Sequence, residues 1–107
     1  MSLTEKKCVP CEGGTAPLSS GEANQYYTEL KKDWQLKDQE LSRQFSFKDF
    51  KESMDFVNKV AEIAEAEGHH PDMYIFYDKV RLELTTHAIG GLSVNDFIIA
   101  AKVDQLV

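Results

Sequence analysis

The clearest pattern in the sequence is a run of apolar residues at helical spacing through the middle of the chain. Its members are Phe47, Phe50, Met54, Val57, Val60, Ala61 and Ala64. Ser46 precedes the run and Asp49 follows Ser46 by three residues, which is a helix-start signal. Gly68 can end the helix, and Pro71 prevents it from resuming. The pattern therefore predicts one long amphipathic helix that stops at Gly68.

Four shorter stretches have the composition of strands. Residues 34–36 and 40–45 are separated by a polar turn, and residues 73–77 and 80–86 are joined by two residues as a hairpin. Side chains of the last stretch alternate, so that one side can meet the core while the other faces solvent or a partner. Ser93 opens a final helix. Together these elements predict an α+β fold in which helices pack on one face of a small antiparallel sheet.

The beginning of the chain has a different character. Residues 1–18 are predicted to form an irregular arm, because their prolines and their Gly-Gly pair disfavour regular elements. Ser19 or Ser20 can cap a first helix that runs to about Lys32. A chain of 107 residues leaves little room for a second core. Residues 19–107 are therefore predicted to form a single domain.

Composition and charge exclude several classes of function. Apolar residues make up 42% and charged residues 28%, as in ordinary globular proteins. No stretch approaches the roughly 18 apolar residues of a membrane-spanning helix, and the polar residues 1–7 do not resemble a signal peptide. We therefore expect a cytoplasmic protein without membrane contact. The net charge of −6 argues against direct binding of nucleic acid, although not against acting on it through another protein.

All the histidines lie in one part of the chain. His69 and His70 are adjacent at the predicted end of the long helix, and His87 lies at the end of the second hairpin strand. A hairpin returns its second strand beside the start of its first, so the imidazoles can line one cleft and act as general acids and bases. The alternative is that His69 and His70 cap a helix and His87 is solvated.

A metal site is the rival chemical interpretation of these histidines. Three imidazoles can hold zinc, but adjacent histidines cannot easily aim at one ion from a regular element, and the sequence has no His-x-His or HExxH. Cys8 and Cys11 form a CxxC that has no strand before it and no second cysteine pair. We expect a reversible disulfide or a plain loop there. No phosphate-binding loop or dinucleotide fingerprint is visible.

Acidic residues near the histidines have ordinary structural explanations. Asp96 lies three residues after Ser93, where a carboxylate stabilises a helix start. Glu62, Glu65 and Glu67 are predicted to form a solvated face of the long helix.

An ordered series of motifs carries a more specific signal. The motifs are Glu67-Gly68-His69-His70-Pro71-Asp72, Tyr77-Asp78-Lys79-Val80, Leu84-Thr85-Thr86-His87, and Gly91-Leu92-Ser93 with Asp96. Upstream of them stands Phe45-Ser46-Phe47-Lys48-Asp49-Phe50. Over about residues 20–107 the series resembles the pterin-4a-carbinolamine dehydratase family. Met73 stands where that family often has an aromatic residue, and Gly68 where it often has an acid or an amide.

The resemblance implies a four-stranded antiparallel sheet and the dehydration of a 4a-hydroxytetrahydropterin to quinonoid dihydropterin, in tetrahydrobiopterin recycling. It implies three active-site histidines, three positions that line the pterin and one acid that organises the site. The active-site histidines are His69, His70 and His87, the positions that line the pterin are Gly68, Thr85 and Thr86, and the acid is Asp96. No metal or organic cofactor is implied, because the pterin is the substrate.

The resemblance also bears on partners. It implies a homo-dimer or homo-tetramer, and we expect its contacts at edge strands or at exposed apolar positions of the last helix. It also implies a functional link to an aromatic amino-acid hydroxylase. Some animal members of the family stabilise dimers of a transcription factor. The alternative functions are therefore a dimerisation module that serves as a transcription cofactor and, separately, a module that binds a pterin without turning it over.

Overall fold

A computed structural model describes residues 3–8, 16–31, 33–37 and 39–107 of the protein. The elements in chain order are α1 (Ser20–Tyr27), β1 (Gln35–Lys37), β2 (Glu40–Ser46), α2 (Phe50–Glu67), β3 (Asp72–Ile75), β4 (Lys79–Leu84) and α3 (Val94–Asp104), with short 3-10 helices at Leu3–Glu5 and His87–Ile89. The strands form one antiparallel sheet in the order β1-β2-β4-β3. The predicted α+β fold, a four-stranded antiparallel sheet with helices on one face, is confirmed.

The long helix α2 begins later than its sequence suggests. Ser46 was expected at its start, but Ser46 is paired with Lys79 in the β2–β4 ladder. The cap is Asp49, whose side chain accepts a hydrogen bond from the backbone N–H of Glu52 at 2.9 Å. At the other end, Gly68 adopts φ 66°, a left-handed conformation that glycine tolerates best, and ends the helix as predicted.

The first helix is shorter than predicted. Ser19 caps α1 in a reciprocal capping box with Glu22, but the helix ends at Tyr27 rather than near Lys32. Beyond the helix, the N–H groups of Glu29 and Leu30 donate to carbonyls three residues back, so the last turn tightens. Trp34 is buried just before β1, where its indole N–H donates to Asp104 at 2.7 Å. That contact holds the chain between α1 and β1 against the last helix.

The core lies between the inner face of the sheet and helices α2 and α3. Alternate residues of β2 and β4 point into it, and for β4 this alternation was predicted. The buried apolar side chains of these strands are Leu41, Phe45, Val80, Leu82 and Leu84. None of the helices in the described part of the chain is both long enough and apolar enough to cross a membrane.

Helix α3 is buried on almost every side, and the expectation that it exposes apolar positions to a partner is wrong. Phe97, Ile98 and Ile99 are each at most 1% exposed. Helices α1 and α2 contact α3, and so does the 3-10 helix Leu3–Glu5, whose Leu3 is 2% exposed. A helix that is apolar around its circumference must be covered in this way. The N-terminal segment, which consists of residues 3–8, therefore covers a surface that the sequence analysis predicts to make oligomer contacts.

Candidate active site

The two adjacent histidines leave α2 in opposite directions. Gly68 turns the chain, and the backbone N–H of His69 donates back to the carbonyl of Ala64 at 3.2 Å. After this turn the side chain of His69 is 13% exposed, whereas that of His70 is 58% exposed. Pro71 is buried and continues the chain towards β3. One imidazole thus points inward and the other towards solvent.

His69 is held by a fully buried carboxylate. Its Nε2 lies 2.6 Å from Oδ1 of Asp96, whose side chain is 0% exposed. The other oxygen, Oδ2, accepts the hydroxyl proton of Thr86 at 2.8 Å and the backbone N–H of Ser93 at 3.0 Å. A buried charge requires such a set of donors, because it would otherwise lose its hydration without compensation. Asp96 therefore serves both the start of α3 and the histidine.

A second hydroxyl, that of Ser93, contacts the Thr86 hydroxyl that donates to this carboxylate. Thr86 Oγ1 and Ser93 Oγ are 2.8 Å apart. Because a hydroxyl carries a single proton and that of Thr86 is directed to Asp96, Ser93 is the donor in this contact. The two hydroxyls therefore point their protons in sequence towards Asp96. Sequence reasoning had not included Ser93 among the site residues, although it identified Ser93 as the start of the helix.

The hydrogen-bond network assigns the protons on the ring of His69. An ionised carboxylate only accepts, so Nε2 of His69 carries the proton of the 2.6 Å contact with Asp96. The neutral ring then has its lone pair on Nδ1, where it can accept a proton. The adjacent negative charge of Asp96 stabilises the resulting imidazolium. This arrangement is suited to general base catalysis at Nδ1.

His70 has an acidic partner of a different kind. Its Nε2 lies 2.8 Å from Oε2 of Glu65, and the Glu65 side chain is 79% exposed. The exposure of Glu65 agrees with the predicted solvated face, but the pattern of the helix does not indicate this contact. Since the chain turns at Gly68, a separation of five residues brings the two side chains together. A pair this exposed to water is a weak constraint on the ring of His70.

The end of β4 completes this region. The β3–β4 ladder begins at the pair Asp72 and Glu83, and beyond it His69 and Thr86 contact the two carboxylate oxygens of Asp96. Thr86 is buried, and the hydroxyl of Thr85 donates to the carbonyl of Gln39 at 2.8 Å. His87 is exposed and opens the 3-10 helix His87–Ile89 rather than ending the strand. The strand itself stops at Leu84, two residues earlier than predicted.

Glu67, predicted to be exposed, is mostly buried, with 9% of its side chain accessible. Its Oε1 accepts the backbone N–H of Cys8 at 2.9 Å, and its Oε2 accepts from Nζ of Lys102 at 2.9 Å. The hydrogen bond from Lys102, and to a smaller extent that from Cys8, holds the pKa of Glu67 below its ordinary value. The N-terminal segment covers this glutamate, so the prediction was wrong because it considered the helix alone.

The described residues contain no group of three or more His, Cys, Asp or Glu side chains that could hold a metal ion. His69 and His70 instead face different carboxylates. Of the CxxC, Cys8 is half-buried, and Cys11 lies outside the described residues.

Known proteins resemble this chain over almost its whole length. The family described as pterin 4 alpha carbinolamine dehydratase matches residues 16–106. A Nitrosomonas europaea protein is 55% identical over 104 residues, which cover 97% of this chain and 92% of that protein. A Nitrosomonas eutropha protein is 54% identical over 105 residues, which cover 98% and 93% respectively. Both are provisionally named pterin-4-alpha-carbinolamine dehydratases.

A solved structure agrees with these matches. A transcriptional coactivator/pterin dehydratase from Brucella melitensis has 32% identity and a TM-score of 0.79. The similarity covers 84% of this chain and 97% of that one. The resemblance carried by the ordered motifs is thus confirmed, both across the sequence and in the fold. The chain belongs to the pterin 4 alpha carbinolamine dehydratase family.

Proposed function

We propose that the protein removes water from a 4a-hydroxytetrahydropterin by histidine general acid–base catalysis. The observation that carries the proposal is the hydrogen bond between His69 and the fully buried Asp96. A module that only binds a pterin, or only stabilises a partner, has no need of an imidazole whose second nitrogen is prepared to accept a proton. Membership of a dehydratase family supports the same reaction.

The chemistry requires two proton movements. A proton is delivered to the C4a hydroxyl, which leaves as water when the C4a–O bond breaks. A proton is removed from N5, and the electron pair of that N–H bond forms the C4a=N5 double bond of the quinonoid dihydropterin. No electrons are gained or lost overall, so histidines can supply all the catalysis. General acid–base assistance contributes about 10²–10⁴-fold per group.

We assign the acceptor role to His69. Its Nε2–H is held by Asp96, which leaves Nδ1 to take the N5 proton and stabilises the imidazolium that forms. His70 and His87 are exposed, can exchange protons with water and are the donors to the leaving hydroxyl in this scheme. The scheme needs no metal ion or organic cofactor.

Three further positions would line the pterin in this proposal, namely Gly68, Thr85 and Thr86. The hydroxyl proton of Thr85 is directed to the carbonyl of Gln39, and that of Thr86 to Asp96. Both protons are therefore engaged within the protein. These threonines would meet the substrate through hydroxyl lone pairs, methyl groups or backbone atoms rather than as hydroxyl donors.

The biological setting forms part of the proposal. The quinonoid product would be reduced again in tetrahydrobiopterin recycling, and the substrate would come from an aromatic amino-acid hydroxylase. A second candidate function, a dimerisation or transcription-cofactor module, has the description of the Brucella melitensis protein in its favour, since that protein is called both a coactivator and a dehydratase. The His69–Asp96 pair favours catalysis here.

We also propose that the protein forms a homo-dimer or homo-tetramer through the edge of the sheet at β3. One edge of β3 pairs with β4, and within the described ranges no strand pairs with the other. The large apolar side chains exposed there and just after it are Tyr74, Ile75, Phe76 and Tyr77. An open edge with such side chains favours pairing with another strand. Light scattering should show Ile75→Lys shifted towards monomer, and a wild-type monomer would refute this.

The decisive experiment for the function is a stopped-flow assay of 4a-hydroxytetrahydropterin dehydration. Wild-type protein should accelerate the reaction, and His69→Ala should lose most of that acceleration. Glu62→Gln, at an exposed position of α2, controls for substitution in the same helix and should behave as wild type. Absence of acceleration by folded wild-type protein would contradict the proposal and favour the binding module.

A further inference from the structure

Cys8, in the N-terminal segment, contacts both elements that carry the His69–Asp96 pair. Its backbone N–H donates to Glu67 Oε1 at 2.9 Å, two residues before His69. Its thiol donates to the backbone carbonyl of Asn95 at 3.7 Å, immediately before Asp96. The end of α2 and the start of α3 are therefore joined through one residue from the beginning of the chain.

A second link between the same helices runs through the other oxygen of Glu67. Lys102, in the last turn of α3, donates to Oε2 at 2.9 Å. Lys102 is 19% and Glu67 9% exposed, so water screens this ion pair less than it would a surface pair. Lys102 lies six residues after Asp96, about 9 Å along the helix axis. The link therefore opposes sliding of α3 along α2.

The N-terminal segment is itself anchored. Leu3 is 2% exposed and packs against α3, and the ammonium of Lys6 lies 5.6 Å from the centre of the Tyr26 ring. Cys8 therefore presents its N–H to Glu67 from a segment with independent contacts to the rest of the domain. A donor held in this way can restrain the carboxylate that it contacts.

We infer that Glu67 is a positioning residue for the His69–Asp96 pair, which it keeps in register by joining α2 to Lys102 and to Cys8. His69 follows Glu67 after a single glycine, so a movement of this helix end is passed directly to the imidazole. A hydrogen bond of 2.6 Å is lost when its atoms separate by about 1 Å. The inference rests on the proposed dehydratase function for its effect on turnover, although not for its effect on the hydrogen bond.

The kinetic test compares Lys102→Met with Lys102→Arg. Lys102→Met removes the cation and keeps a long side chain. We expect kcat to fall about tenfold, because His69 is displaced from its catalytic position. KM should change little, because the variant leaves the substrate contacts in place. Lys102→Arg restores the donor and should recover most of the rate. Glu62→Gln should leave kcat and KM unchanged.

A spectroscopic measurement separates the positioning role from general stability. The Nε2–H proton of His69 should give a downfield imidazole resonance in the proton NMR spectrum of the wild-type protein. In folded Lys102→Met this resonance should move or broaden, whereas Lys102→Arg should retain it. Glu67→Gln, which keeps the shape of the side chain, should change it in the same direction and replaces Lys102→Met if that variant fails to fold.

The outcomes distinguish this inference from the proposed function. If folded Lys102→Met and Glu67→Gln both keep the wild-type His69 resonance, the positioning role of Glu67 is refuted. If the wild-type protein shows no dehydration but the resonance responds to both substitutions, the proposed function fails and the positioning inference stands. If wild-type turnover is observed and Lys102→Met retains full kcat, the inference fails while the function stands.

Discussion

Asp96 places one carboxylate oxygen 2.6 Å from Nε2 of His69 and the other against the N–H of Ser93 at the start of α3. A single buried side chain therefore stabilises a helix terminus and orients an imidazole. The helix-start role was predictable from the spacing of Ser93 and Asp96. The contact with His69 joins residues 27 positions apart and could not be predicted from that spacing.

Asp96→Asn should abolish most of the activity while leaving the fold intact. The amide can still accept from Thr86 or Ser93, but its NH₂ group would face His69 and favour the tautomer with its proton on Nδ1. The base would then lack its lone pair, and kcat should fall about 10²-fold or more. Stopped-flow turnover together with circular dichroism checks this.

The matched control is Glu65→Gln, which alters only the exposed pair with His70 and should lower kcat by no more than about fivefold. Equal losses in both variants would contradict the special role of Asp96.

His70→Ala and His87→Ala should each lower turnover at least about tenfold without affecting the fold. Both side chains are exposed, so their removal leaves no cavity in the core. Thermal unfolding should confirm wild-type stability for each variant, and the rate of dehydration should then report on proton transfer alone. Full activity in both would show that neither histidine acts as an acid, and the proton donor would have to be sought among other groups or water.

Chelators should leave the activity unchanged. His69 and His70 each face a carboxylate of their own, and the proposed reaction moves only protons. We expect equal rates before and after dialysis against EDTA, with metal content measured on the same samples. A loss of rate that added zinc restores would revive the metal interpretation of the three histidines.

The sequence predicted the elements with strong periodicity and missed contacts that come from distant parts of the chain. The long helix was predictable because its apolar residues recur at helical spacing over many positions. The hairpin β3–β4 was predictable because two runs with strand composition are separated by two residues, and the second run also alternates. Ser46 looked like a helix cap, but the pairing of β2 with β4 gives it a place in the sheet. Glu67 looked exposed because the pattern of α2 contains no sign that Cys8, 59 positions earlier, would contact it.

The ion pair of Glu67 should make stability depend on acid pH. Its pKa in the folded protein lies below the ordinary value of 4.5, chiefly because Lys102 donates to it. A lowered pKa adds stability above the unfolded value, and that stability is lost as the pH falls through the folded pKa. Wild type should therefore exceed Glu67→Gln in unfolding free energy at pH 7, by a margin that shrinks below about pH 4.5.

Urea unfolding at a series of pH values measures that margin. Glu62→Gln controls for the removal of one carboxylate from α2. A margin between wild type and Glu67→Gln that stayed constant from pH 7 into the acid range would show that the charge of Glu67 contributes nothing, and that only its shape matters.

Gly91→Ala should destabilise the protein, because the backbone at this position lies too close to neighbouring atoms to leave room for a side chain. A Cβ there would lie 2.7 Å from Cβ of Pro17 and 2.8 Å from Oε1 of Gln39. Relieving this overlap would displace the segment that Leu18 anchors by donating to the carbonyl of Leu92 at 2.8 Å. Overpacking of this kind costs about 1–3 kcal/mol.

The matched control is Gly21→Ala, whose Cβ would meet no atom within 4 Å. Gly21 lies within α1, so alanine there should stabilise the protein by about 0.5–1 kcal/mol. The two substitutions add the same methyl group and should change the unfolding free energy in opposite directions. Because the backbone carbonyl of Gln39 accepts the hydroxyl proton of Thr85, a displacement of Gln39 in Gly91→Ala should reach Thr85, which we propose to line the pterin, and raise KM. A Gly91→Ala variant as stable as wild type, with an unchanged KM, would mean that the segment at residues 16–18 can move without cost to the site.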